Sequence, residues 1–239
     1  MHIIIDTAER IAKLAAAQFI RLIRQKPDAV LGLATGSTPL GLYAELIRAY
    51  RAGEISFAEA ASFNLDEYAG LPPAHEQSYH AFMRKNLFDH IDLPNERMHI
   101  PSGVDHSAER LSGYDRAIAA CGGIDLQLLG LGRNGHIGFN EPGTPFESTT
   151  HLVRLSEDTR RANARFFANE AEVPGQAVTM GIKTVMNAKS IVLVAFGAEK
   201  AEAVERALHG PVTPDMPASV LQLHPFVSVY LDQEAASKL

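Results

Sequence analysis

The chain has 239 residues, 46% of them hydrophobic and 21% charged, with a formal net charge of -6. That length fits one large α/β domain with a substantial core. No basic run exceeds two residues and no aromatic and basic residues interleave, which argues against a nucleic-acid partner. The lone cysteine, Cys121, excludes a disulfide framework or a cysteine-rich zinc site within one chain. Apolar runs are too short for a membrane span, and the N-terminus turns polar at Asp6 with no signal-peptide pattern, so the reading is a cytoplasmic protein.

Taken in chain order, His2 to Ile5 reads as a short strand. Thr7 is placed to cap the helix that follows, on which Ile11, Leu14, Ala15, Phe19, Leu22 and Ile23 recur at helical spacing. Ala29 to Ala34 is a buried-strand pattern; a helix then runs to Tyr50, with Pro39 suited to its first position. Ala60 to Leu65 reads as a strand ending at Asp66-Glu67-Tyr68. Helices are expected over Ser78 to Phe88 and Ser107 to Ala119, and the central strand over Ile124 to Leu129. A strand at His151 to Leu155 and a short helix at Asp158 to Asn169 follow; Gly175 to Val178 reads as a turn. A strand at Ser190 to Phe196, a helix at Glu199 to Leu208 and a last strand at Phe226 to Tyr230 close the pattern. Alternating strands and helices predict an open, mostly parallel, Rossmann-like α/β sheet with helices on both faces, in one domain over residues 1–239.

Three places carry chemistry. Thr35-Gly36-Ser37-Thr38-Pro39 lies where a strand hands over to a helix, a setting that favours an anion. It lacks the GKS/T ending of a nucleotide P-loop. Arg165 or Lys200 could supply a cation there, although either alone reads more readily as a surface charge. Asp66 could be a general base or a simple cap, with Glu67 as its competitor. Leu131 to Pro142 packs His136, Asn134, Asn140 and Glu141 among glycines after the central strand, where open α/β sheets place their chemistry. His136 is suited to proton transfer, and Glu141 is its best local carboxylate partner; a glycine-rich turn with a structural histidine is the plainer alternative. Ten histidines form no HExxH, and His75 and His80 are five apart rather than four, so no metal is expected. No GxSxG surrounds Ser37 or any other serine.

Together, Ala34 to Pro39, Phe63 to Tyr68, Gly135 to Pro142 and Leu221-Gln222-Leu223-His224-Pro225 resemble the glucosamine-6-phosphate deaminase family, from the first strand almost to the C-terminus. The resemblance implies the fold shared with sugar-phosphate isomerases and phosphogluconolactonases. It implies a phosphate site at Thr35, Gly36, Ser37 and Thr38, completed by Arg165 and Lys200. Asp66 would move a proton between sugar C2 and C1, His136 would open the ring, Glu141 would partner it and Asn134 would orient the pair. Arg165 would ride on a mobile lid at about 150–175. The implied reaction turns glucosamine 6-phosphate and water into fructose 6-phosphate and ammonia without a cofactor. The accompanying class label is a hydrolase of a cyclic-amidine-type C–N bond that also isomerises aldose to ketose.

One departure concerns regulation. Allosteric relatives carry a basic pair soon after the Asn-Glu-Pro motif; here those positions hold His151 and Val153, and little follows the last strand. The expectation is a non-allosteric monomer or small homo-oligomer. Two alternatives stay open: a 6-phosphogluconolactonase-like hydrolase, which would not need Asp66, and a non-catalytic sugar-phosphate-binding protein.

Overall fold

The short apolar runs become the strands of one seven-stranded sheet. The computed structural model describes the chain except at 165, 166 and 168, with the side chain of 170 also left aside. The sheet contains β1 (His2–Ile5), β2 (Val30–Leu33), β3 (Ala61–Asn64), β5 (Met98–His99), β6 (Leu126–Gly130), β9 (Ile191–Ala195) and β10 (Val227–Leu231). Its order is β1-β10-β9-β6-β2-β3-β5, and every pairing is parallel. β2 and β9 are buried at every residue, which is why they read as continuous apolar runs rather than alternating ones.

The helices that flank the sheet on both faces are α1 (Ala8–Gln25), α2 (Leu40–Arg51), α3 (Tyr79–Asn86), α4 (Ala108–Ala120), α5 (Glu157–Asn163), α6 (Ile182–Met186) and α7 (Ala201–His209). Thr7, Ser78, Ser107 and Ser156 each cap a helix by accepting a backbone N–H three residues on. Pro39 falls at the cap of α2 instead of its first helical position. The helix expected over 158–169 stops at Asn163.

The chain moves outward from β2 to β3 and β5, then returns to lay β6 on the other side of β2. That reversal opens a crevice beyond the C-terminal ends of β2 and β6. Beside it stands a second sheet that the sequence pattern did not separate. β4 (Asp66–Tyr68), β8 (Gln176–Thr179) and β7 (His151–Arg154) pair antiparallel in the order β4-β8-β7. The segment read as a turn at Gly175 to Val178 is therefore mostly strand β8. Its four residues are too few for a period, and their state is decided by partners far away in sequence: Asp66 and His151 both register with Thr179. Tyr68, Phe139, Leu155 and Ala177 form a small core under this sheet, separate from the main one.

Asp125 holds the opposite, N-terminal end of the sheet. Its carboxylate accepts from Val30 N (2.8 Å), Lys26 Nζ (2.6 Å) and Lys189 Nζ (2.7 Å). Burial alone would raise its pKa, but the two lysines and the backbone donor outweigh it and hold the group below the ordinary carboxylate value. A depressed native pKa gives stability that is present above the unfolded value and lost as pH falls through the native one. Asp125→Ala should therefore cost about 2 kcal/mol at pH 7, some ~5 °C in Tm. Thermal melts across pH check this: the gap to wild type should narrow below about pH 4.

Candidate active site

Residues 35–39 leave β2 and enter α2 at one wall of the crevice. Tyr43, on the first turns of α2, reaches back and bonds both the N–H and the carbonyl of Ala34. This fixes the strand end from which the loop springs. The start of α2 carries no side-chain cap, so its N-terminus faces the loop without a protein acceptor of that kind. Thr35 and Thr38 are half-buried and Ser37 is exposed. Tyr79 packs on Tyr68 with ring centroids 4.8 Å apart, and its hydroxyl lies within electrostatic reach of those of Thr35 and Tyr68.

The loop after β6 forms the facing wall. It closes tightly, with Gly132 N on His136 O (2.9 Å) and Gly135 N on Gly132 O (3.0 Å). The His136 ring lies directly against Gly132, where an added Cβ would come within 2.4 Å of three ring atoms. Asn134 Nδ2 donates to Glu141 Oε2 at 2.7 Å, while Asn134 Oδ1 accepts from His136 N at 3.2 Å. His136 Nδ1 lies 3.9 Å from the same Glu141 Oε2, and among the described residues no hydrogen bond reaches that nitrogen. The other carboxylate oxygen, Oε1, accepts from Thr159 Oγ1 (2.6 Å), Ser156 Oγ (3.2 Å) and Ser156 N (3.4 Å). Glu141 thus ties the histidine loop to the start of α5. Sequence reading did not single out Ser156 or Thr159, because they sit 15 and 18 positions further on and their bonds are to a side chain.

Burial pulls the His136 pKa down, the Glu141 charge raises it, and the Lys200 charge lowers it again; the net result is below the ordinary histidine value. Lys200, half-buried after β9, is therefore within electrostatic reach of the histidine. Arg165 lies outside the described residues.

Asp66 begins β4, two residues after the end of β3, and is 6% exposed. Burial, with the Glu67 charge second, pushes its carboxyl up to about 8. Its charge reaches the buried hydroxyls of Tyr43, Tyr68, Tyr79 and Tyr114. The Asp66 carboxyl also meets the histidine loop. Gly138 has φ 58°, and a Cβ there would lie 2.9 Å from Thr179 Oγ1 and 3.5 Å from Asp66 Oδ2. Glu67, the competitor for the base, is spent elsewhere: it accepts from Tyr68 N, Tyr79 N and His80 at the start of α3. Among the described residues, no group of three or more His, Cys, Asp or Glu side chains is placed to hold a metal ion. Nor is any described helix long and apolar enough to cross a membrane.

A carboxyl shifted up and an imidazole shifted down at a sheet's reversal point are the marks of an acid–base enzyme for a small molecule. The chain belongs to the family described as glucosamine-6-phosphate isomerases/6-phosphogluconolactonase, whose model matches residues 5–228. It is 54% identical over 225 residues to a glucosamine-6-phosphate deaminase of Lachnoclostridium phytofermentans, covering 94% of each chain. It is 53% identical over 240 residues to glucosamine-6-phosphate deaminase 2 of Bacillus subtilis, covering 99% of this chain and 96% of that one. A solved monomeric glucosamine-6-phosphate deaminase matches it with a TM-score of 0.98 at 47% identity, over all of both chains. The 6-phosphogluconolactonase of Trypanosoma brucei shares the fold, with a TM-score of 0.79 at 21% identity over 100% and 98% of the two chains.

The raised Asp66 pKa has a consequence for stability. Its contribution is full below the unfolded value near 3.8 and is lost as pH rises toward about 8. Asn cannot ionise, so Asp66→Asn should melt higher than wild type. The Tm difference should grow between pH 4 and pH 8 and then level off; a difference that does not depend on pH would contradict the burial cost.

Proposed function

We propose that the protein converts glucosamine 6-phosphate and water to fructose 6-phosphate and ammonia. The observation that carries this reading is the buried Asp66 carboxyl brought against the backbone of the His136 loop. A proton shuttle between adjacent sugar carbons needs one acid–base group shielded from water. Its relatives of that name, half identical over nearly the whole chain, support the substrate.

The phosphate would sit on Thr35, Gly36, Ser37 and Thr38 at the N-terminus of α2, with Lys200 and Arg165 as its cations. His136, neutral at rest, would take the proton of the O1 hydroxyl and deliver it to the ring oxygen as the pyranose opens. Glu141 would stabilise the imidazolium in transit, held in place by Asn134, Ser156 and Thr159. Asp66, as the carboxylate, would take the C2 proton, while the substrate's C2 ammonium passes a proton through His136 to O1, giving the enolamine. The same Asp66 acid would return its proton to C1, leaving an imine at C2. Water adds there and ammonia leaves. Positioned proton transfer of this kind is worth ~10²–10⁴-fold in rate. The bond broken is the C–N bond of an imine in an opened sugar. The substrate has no amidine, so the cyclic-amidine label does not apply.

The lid read at about 150–175 would move chiefly between β7 and β8, since Thr150 is tied to Asp115 and both strands are paired. Carrying the Glu141 partners Ser156 and Thr159, it would couple closure to the acid–base pair.

Purified protein given glucosamine 6-phosphate without added metal should release ammonia and fructose 6-phosphate in equal amounts. Asp66→Asn should lower kcat by a thousandfold or more (about 4 kcal/mol); deamination retained in that variant would refute the base, and lactone hydrolysis in place of deamination would favour the lactonase reading. In wild type, kcat/KM should rise with pH along a limb centred near 8, as the Asp66 carboxylate forms.

The match to a monomeric deaminase supports a monomer. Substrate saturation should be hyperbolic and unmoved by N-acetylglucosamine 6-phosphate as an effector. A sigmoidal curve that this compound straightens would overturn the non-allosteric assignment.

A further inference from the structure

Glu67 is 1% exposed, next in sequence to the proposed base, and fully engaged. Its Oε1 accepts from Tyr68 N and Tyr79 N, both at 2.9 Å. Its Oε2 accepts from His80 N at 3.1 Å and from His80 Nδ1 at 2.9 Å. The first turn of α3 does not need the last of these bonds. Ser78 Oγ takes Ala81 N, and Glu67 already takes the N–H groups of Tyr79 and His80. The imidazole bond is therefore additional to helix capping.

A carboxylate only accepts, so His80 Nδ1 carries the proton. The ring is 30% exposed and lines an open cleft of about 540 Å³. Across that cleft stand Asp105 and Glu109, offset by Arg110 and Arg116, together with His99, which stacks on Phe63. On its own helix, Arg84 pairs with Asp89 and Asn95. Glu67 is thus the carboxyl His80 touches, and among the described residues His80 is the one side chain bonded to Glu67; the other donors are backbone N–H groups.

We infer that His80 is a positioning residue for the reaction, acting on Asp66 through Glu67. This rests on Asp66 being the base. The bond from His80 draws Glu67 Oε2 toward α3 and disperses its negative charge, which is one of the two influences that hold the proton on Asp66. Without the imidazole, Glu67 opposes ionisation of Asp66 more strongly, and the base becomes available only at higher pH.

The test is kcat/KM against pH for wild type, His80→Leu, His80→Asn and Asp66→Asn. His80→Leu should move the rising limb up by about half a pH unit or more, roughly a threefold loss below the limb. Its plateau and KM should stay close to wild type. His80→Asn keeps a donor near the Nδ1 position and should restore the limb. An unmoved limb in His80→Leu, or an equal loss at every pH, overturns the proposal. Asp66→Asn separates the two ideas: turnover in that variant removes the base, whereas an inactive Asp66→Asn beside an unmoved His80→Leu limb removes only the role of His80. Should His80→Leu not fold, wild-type protein carries the test. In an NMR titration the Asp66 carboxyl carbon should then show a second, smaller inflection where the His80 ring nitrogens titrate, and its absence overturns the proposal.

Discussion

Burial of the Asp66 carboxyl is the constraint on which the rest of the site depends. A carboxylate removed from water is costly unless it is paired, and here the neighbouring charge, Glu67, is of the same sign. The group therefore rests protonated. Two sheets hold it in that state. β3 brings it to the edge of the reversal crevice, and β4 pairs with β8, setting Asp66 opposite Thr179. Met180 N bonds Leu65 O at 2.6 Å, and Phe139 N bonds Thr179 Oγ1 at 3.0 Å, so β8 also fastens the histidine loop beside the acid.

The two shifted groups complement each other. Asp66 is pushed up and His136 down, so both are neutral before substrate arrives. A crevice whose carboxyl and imidazole are both uncharged avoids the cost of burying two ions. Glu141 is the carboxyl member of the histidine set. It has three hydroxyl or amide donors from Asn134, Ser156 and Thr159 and a further N–H from Ser156. Because Ser156 and Thr159 hold this carboxyl, the geometry of the His136–Glu141 pair and the position of α5 are one variable.

The parallel sheet was legible because strands buried on both faces leave continuous apolar runs, as in Val30 to Leu33 and Ile191 to Ala195. Thr7, Ser78 and Ser107 were legible as helix starts because capping is local chemistry. Thr35 to Thr38, Asp66, Asn134, His136 and Glu141 could be picked out because each lies just beyond a strand. The second sheet could not be read. β4 has three residues and β8 four, and each becomes a strand only through the other. The residues alone left Glu67 as a competitor to Asp66 for the base, and only the family resemblance pointed to Asp66. What separates them is the strand alternation that turns Glu67 toward α3, and that depends on β4 being a strand at all. Ser156 and Thr159 escaped notice because a cap serine and a helix threonine look alike whether or not a distant glutamate needs them.

The most direct test of this account is an NMR titration of the side-chain carboxyl carbons, with the Asp66 signal assigned by its absence from Asp66→Asn. The account predicts that this one aspartate titrates near 8, well above the ordinary carboxylate range. A midpoint within that ordinary range, about 4, would mean that Asp66 is solvated or paired, and that the fold does not build the buried base assigned to it.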